Sequence, residues 1–151
     1  METQPTLADT CAGGVDLDSI TLDLCRRHVD EMVLLTEAEI EVSLFLDPDP
    51  AQIDVAADLG VTAVELHTGN FALAANKHER DAELMKLATA ARQLQQADLT
   101  VNAGHGLTYR NVKPVAQLES MHELNIGHSI ISRSVFVGLI EATRLMKQLI
   151  D

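Results

Sequence analysis

The chain has 151 residues, 46% of them apolar, and a formal net charge of -12 with a sequence pI near 4.7. That acidity excludes general partnership with nucleic acid or an anionic membrane, both of which call for basic surface, but it leaves room for a phosphorylated ligand held locally by backbone N–H groups. Cys11 and Cys25 are the only cysteines, no apolar run reaches the roughly 18 residues of a membrane span, and no basic stretch leads into an apolar one at the start; the expectation is a soluble, untargeted cytoplasmic protein without a disulfide framework or a zinc site.

Residues 1–15 have no period, carry Pro5 and end in Gly13-Gly14, which reads as a loop. From Asp16 the spacing of Leu17, Ile20, Leu24, His28, Met32 and Leu35 predicts a helix to about Glu37. Glu41 to Leu46 reads as a strand. It is stopped by Asp47-Pro48-Asp49-Pro50, which also caps a helix through Ile53, Ala56, Ala57 and Leu59 to Gly60. A strand Ala63 to His67 leads into a loop opening with Thr68-Gly69-Asn70, and a long helix runs from about Lys77 to Ala97 with Leu84, Leu87, Ala91 and Leu94 on one face. Then come a strand Thr100 to Ala103, a short helix Val112 to Leu118, a strand Glu123 to Ile126 and a closing helix Ser129 to Ile150. Strict β-then-α alternation predicts an α/β fold of parallel strands joined by crossover helices. A complete eight-fold barrel needs ~250 residues, so the chain is short for one.

The strands alternate in a way that carries function. Val42, Leu44, Leu46, Val64, Leu66, Val101, Leu124 and Ile126 fall on one face, where helices would cover them. The opposite face carries Glu41, Ser43, Glu65, His67, Thr100, Asn102, Glu123 and Asn125. A parallel sheet covered on both sides reads as nearly continuous apolar runs, so this polar face predicts a wet interior in which charged groups meet partners or a ligand; a simply solvated face is the alternative.

Two motifs sharpen that expectation. Asn102-Ala103-Gly104-His105-Gly106-Leu107 and Asn125-Ile126-Gly127-His128 each close an apolar strand, the second directly before a helix. Glycine lets backbone N–H groups approach an anion, a helix N-terminus adds its dipole, and imidazole exchanges protons near neutral pH. His105 is therefore a candidate acid/base or phosphate contact and His128 a candidate anion ligand. Glu65, between Val64 and Leu66, is costly unless paired and is a candidate base or cation stabiliser, with a structural ion pair as the even alternative. His67 and Asn102 fit supporting hydrogen bonds, His28, His78 and His122 have no such framing, and Asp47, Asp49 and Asp54 read as turn and capping residues.

Val42-Ser-Leu-Phe45, Glu65-Leu-His-Thr-Gly69, Val101-Asn-Ala-Gly-His-Gly-Leu-Thr108 with Asn111-Val112, and Met121-His-Glu-Leu-Asn-Ile-Gly-His-Ser-Ile-Ile131 together resemble the second half of the pyridoxine 5'-phosphate synthase family. The resemblance runs from Gly13 to the C-terminus. It implies a TIM-type (β/α)8 barrel of which residues 16–151 supply about the C-terminal half. It also implies condensation of 3-amino-2-oxopropyl phosphate with 1-deoxy-D-xylulose 5-phosphate to pyridoxine 5'-phosphate, inorganic phosphate and water. By the same resemblance His105 is the proton donor, Glu65 the carboxylate that stabilises the charged transition state, Gly106 and Gly127-His128 the holders of the aminoketone phosphate, and Thr10 a contact to the deoxyxylulose phosphate. No metal or cofactor is implied, and a homo-oligomer is.

The family's opening Asn/Asp/His strand, its His-x-Arg strand end and its Glu general base have no counterpart here. Three explanations stay open: a fragment or shortened reading of a longer enzyme, a half-barrel that pairs with a second chain, or a remnant that only binds a phosphate ligand or assembles. Tested alone, the chain is expected to show little or no synthase activity.

Overall fold

The computed structural model describes residues 42–150, so the loop and helix expected before them, Thr10 included, lie outside the described residues. The elements are β1 (Ser43–Leu46), α1 (Pro50–Asp58), β2 (Ala63–His67), α2 (Gly69–Leu73), α3 (Lys77–Gln96), β3 (Thr100–Gly104), α4 (Val112–Ala116), β4 (Met121–Asn125), α5 (His128–Val137) and α6 (Leu139–Ile150). The strands form one sheet in chain order, every neighbouring pair parallel. This is the α/β alternation expected of part of a TIM barrel.

Local chemistry explains where the elements begin. Asp49 accepts from the backbone N–H of Ala51 at 2.9 Å and of Gln52 at 3.3 Å, and Pro50 supplies the preset φ of a first helical residue. At α3, Asn76 accepts from Glu79 N at 3.0 Å while Glu79 reaches back to Ala75 N at 2.9 Å, so two orphan donors are satisfied reciprocally.

The core lies on one side of the sheet. Val64, Leu66, Val101 and Ala103 face Ile53 and Ala56 of α1 and Leu87, Ala90, Ala91 and Leu94 of α3, and all are essentially buried. Each fully buried Val, Leu or Phe in such a layer stabilises the fold by about 1.5–3 kcal/mol. On the other side, register aligns Phe45, Glu65, Asn102 and Glu123 in one row and His67, Gly104 and Asn125 in the next. There Glu65, His67 and Asn102 are half-buried and Phe45, Glu123 and Asn125 are exposed.

Three boundaries differ from the sequence reading. Gly69–Leu73 is a short helix rather than a loop, because five residues are too few for a helical period to declare itself. β4 begins at Met121 and ends at Asn125, and a register shift opposite Val101/Asn102 inserts His122 as an unpaired residue. That bulge breaks the two-residue alternation and hides the strand's first two positions. The closing helix is two helices, since Gly138 sits at φ 82°, ψ 154°, a conformation only glycine adopts readily, although the apolar pattern runs through it.

Candidate functional site

His105, Gly106, Gly127 and His128 follow the carboxyl ends of β3 and β4, where parallel α/β sheets place their sites, while Glu65 lies in the middle of β2. At the β3 tip, His105 (φ 81°) and Gly106 (φ 72°) are both left-handed. A histidine pays conformational strain there, so something must hold it. Part of the answer is Thr68: its buried hydroxyl lies 2.7 Å from Gly104 O and 2.5 Å from His105 O, sharing one proton between two carbonyls. Asn111 supplies the rest, donating to Gly106 O at 3.2 Å and accepting from Thr108 N at 2.6 Å. Gly106 is also required sterically, because a Cβ there would stand 2.7 Å from Ala72 Cβ.

Glu65 is fixed differently. Its Oε2 accepts from Asn125 Nδ2 at 2.7 Å, a bond between β2 and β4 that passes over β3. The crossing is possible because residue 104 has no side chain: a Cβ on Gly104 would collide with Glu65 Oε1 and stand 3.1 Å from both Cβ and O of Asn125. The expected choice between a structural ion pair and a ligand-facing carboxylate is narrowed, since this partner is a neutral amide. Asn125 itself carried no assigned role in the sequence reading, although its place on the polar face that also carries Glu65 was visible.

His105, Gly106, Gly127 and His128 line one cleft of about 880 Å³, with Tyr109, Arg110, Ser129, Ser132, Arg133 and Phe136 around it. The two glycine–histidine motifs therefore share a site. α5 starts at Gly127 with no side-chain cap, leaving its first-turn N–H groups free toward the cleft, and nothing lies within 4 Å of where a Gly127 Cβ would be. Among the described residues no carboxylate lines the cleft, and two arginines do. Arg133 lies over the Tyr109 ring, its guanidinium carbon 5.2 Å from the centroid, while the Tyr109 hydroxyl donates to Ala142 O at 2.8 Å. In a chain of net charge -12 this is a locally cationic pocket.

The arginines were missed by sequence reasoning. A signal existed, since Ser129, Ser132, Arg133 and Phe136 fall at helical spacing on one face of the helix that opens at His128. Asp47, read as a turn residue, accepts from Asp49 N at 2.7 Å in that turn and also pairs with His67, its Oδ1 2.9 Å from Nδ1, while the cap of α1 is Asp49. Asn102 does not make the supporting hydrogen bond expected of its carbonyl: Oδ1 is buried without a partner among the described residues. Among those residues no group of three or more His, Cys, Asp or Glu side chains converges as metal ligands.

Parallel βα units with glycine–histidine turns at adjacent strand tips, beside a cleft that two arginines line, make an α/β fold of the barrel type. Comparison with known proteins specifies it further. The family described as "Pyridoxal phosphate biosynthesis protein PdxJ" matches residues 8–151. Proteins named pyridoxine 5'-phosphate synthase from Magnetococcus marinus and from a Synechococcus strain are 48% and 51% identical over 142 and 139 residues, covering 93% and 92% of this chain and 56% of each relative. One of the same name from Photobacterium profundum is 55% identical over 113 residues, 75% of this chain and 46% of that protein. The chain belongs to the PdxJ family, and it spans about half the length of the curated relatives it matches.

Proposed function

We propose that this chain supplies the phosphate-holding and proton-donating part of a pyridoxine 5'-phosphate synthase site. The reaction is the condensation of 3-amino-2-oxopropyl phosphate with 1-deoxy-D-xylulose 5-phosphate, releasing inorganic phosphate and water. The observation that carries this reading is the shared cleft: His105, Gly106, Gly127 and His128 line one cavity with two arginines and, among the described residues, no carboxylate.

The placement of these residues supports the roles that the family resemblance implies. The unpaired N–H groups at the start of α5, the His128 ring and Arg133 receive the aminoketone phosphate, and the left-handed Gly106 lets the chain approach it closely. With the phosphate as handle, the reacting carbon chain lies along the cleft beside His105. Imine formation and the following dehydrations each require a proton to be delivered to a departing oxygen, which is the work of an imidazole held at fixed distance. Glu65 is steadied by Asn125 through one oxygen, and its other oxygen has no hydrogen-bond partner among the described residues. The charge of that carboxylate opposes the positive nitrogen that develops as the imine forms. Thr10 is assigned to the deoxyxylulose phosphate, and the setting is a cytoplasmic homo-oligomer.

Titration of the protein with inorganic phosphate tests the cradle. Saturable binding is expected, weakened about tenfold or more by His128→Ala and less than about threefold by His105→Ala; absence of saturable binding would overturn the reading. The chemistry is read separately, from pyridoxine 5'-phosphate absorbance with both substrates present. Any turnover the chain supports is expected to vanish in His105→Ala and Glu65→Gln, and turnover surviving either change removes that residue from the reaction.

A further inference from the structure

Three side chains from three consecutive strand tips stand in a row beneath the cleft. Asp47 follows β1, His67 ends β2 and His105 follows β3. His67 Nδ1 lies 2.9 Å from Asp47 Oδ1, and its ring centroid is 4.7 Å from that of His105 at an interplanar angle of 59°. Phe45 closes the outer side, edge-on to His67 at 5.1 Å. A Cβ on Gly69 would stand 2.7 Å from both Cε1 and Nε2 of His67, so the first residue of α2 must be glycine for the His67 ring to lie where it does; His105 Cδ2, at 3.5 Å, would be in ordinary contact.

A carboxylate only accepts hydrogen bonds. The Asp47 contact therefore requires the hydrogen of a neutral His67 to sit on Nδ1, which fixes both the tautomer and the rotation of that ring. His67 then presents a rigid wall to His105. Thr68 and Asn111 hydrogen-bond the backbone of the β3 tip, whereas His67 packs against the His105 ring itself.

We propose that Asp47 and His67 form a positioning pair for His105, the carboxylate locking His67 so that its ring keeps the His105 imidazole aimed into the cleft. The inference rests on the reading of His105 as proton donor, since a general acid acts only when held within a fraction of an ångström and a few tens of degrees of its target. His67 acts through His105 and does not line the cleft itself.

The test is imidazole nitrogen NMR on the whole ¹⁵N-labelled chain at pH 8.5, about two units above the usual histidine value. Two-bond ¹H–¹⁵N correlations report which ring nitrogen carries the hydrogen, and His105→Gln assigns the His105 signals by their loss. His67 is expected as the Nδ1–H tautomer. Asp47→Ala is expected to abolish that single-tautomer pattern and to shift or broaden the His105 signals, and Asp47→Asn, whose carbonyl oxygen still accepts, to restore both in large part. Should Asp47→Ala fail to give a folded backbone spectrum, His67→Gln keeps a donor toward Asp47 while removing the ring, and is expected to move the His105 signals alone. An Nε2–H tautomer for His67 in the native chain, or His105 signals indifferent to both changes, would overturn the proposal. In the synthase assay Asp47→Ala is expected to lower kcat about tenfold with KM within about threefold, the split of an orienting rather than a binding residue. The NMR readouts need neither substrate nor phosphate, so the pair can fail while the phosphate site stands, and stand while the synthase reading fails.

Discussion

Replacing Gly104 by alanine adds one methyl group where β2 and β4 exchange a hydrogen bond across β3. Gly104 does not have a positive φ, so alanine meets no backbone penalty and the effect is steric. The new Cβ collides with Glu65 Oε1, the movable end of a side chain, and sits 3.1 Å from Cβ and O of Asn125, which belong to a strand edge. Glu65 must swing away and its 2.7 Å bond to Asn125 Nδ2 breaks. A hydrogen bond to a charged group is worth about 1.5–3 kcal/mol; with Glu65 half-buried and Asn125 exposed the lower end applies. Tight contacts to Asn125 add roughly 0.5 kcal/mol, and the lower chain entropy of unfolded alanine returns about 0.7 kcal/mol. The net loss is about 1.3 kcal/mol, a fall of about 1 M in the urea midpoint at a slope near 1.3 kcal/mol/M. Because the chain has no tryptophan, far-UV circular dichroism is the appropriate probe. The control is Gly127→Ala, with nothing within 4 Å and a negative φ, which keeps only the entropy gain and is expected to raise the midpoint by about 0.5 M. In a Glu65→Ala background Gly104→Ala is expected to cost nothing or to stabilise slightly. An equal loss in both backgrounds would refute the argument, since the cost would then lie in the strand contacts and not in the displaced carboxylate.

Thr68→Val keeps the shape of a fully buried side chain but leaves His105 O without its donor, while Gly104 O keeps Thr68 N at 2.9 Å; a loss of about 1–2 kcal/mol in urea unfolding is expected. Arg133→Gln is expected to weaken inorganic phosphate binding about fivefold at low salt and less at high salt, measured by calorimetry, with no change in thermal midpoint beyond a degree or two. On the surface of α6, the hydrogen bonds from Arg144, and then its charge, hold the Glu141 carboxyl below the usual carboxylate value of 4.5. A carboxyl with a depressed folded value contributes stability that is present above its unfolded value and is lost as pH falls through the folded one. Arg144→Gln should therefore reduce stability slightly at neutral pH and leave it unchanged once acid has protonated Glu141, a convergence visible in unfolding curves taken at decreasing pH.

The parallel order of the sheet was legible because helical stretches separate each strand from the next, and the pairing of the two histidine turns followed from their common position after strands. What stayed hidden depended on contacts distant in sequence. Asp47 stands 20 residues from His67 and Asn125 stands 60 from Glu65, so neither pairing leaves a local pattern. Gly104 looked like part of a phosphate turn, whereas its geometric task is to clear a path between two neighbouring strands. Gly138 breaks a helix whose apolar spacing continues undisturbed on either side, and the His122 bulge erases the alternation that would have marked the start of β4. Arg133 was overlooked because a charge on a helix usually means solvent, and only the aromatic ring beneath it gives it direction.

None of the ten residues of α5 is buried, and glycines bound the helix at both ends. Its amides should thus be the first in the closing segment to trade hydrogen for deuterium, opening as a separate low-energy unit while the sheet stays protected. An anion seated on its leading turn would slow that exchange selectively, making the helix its own gauge of occupancy.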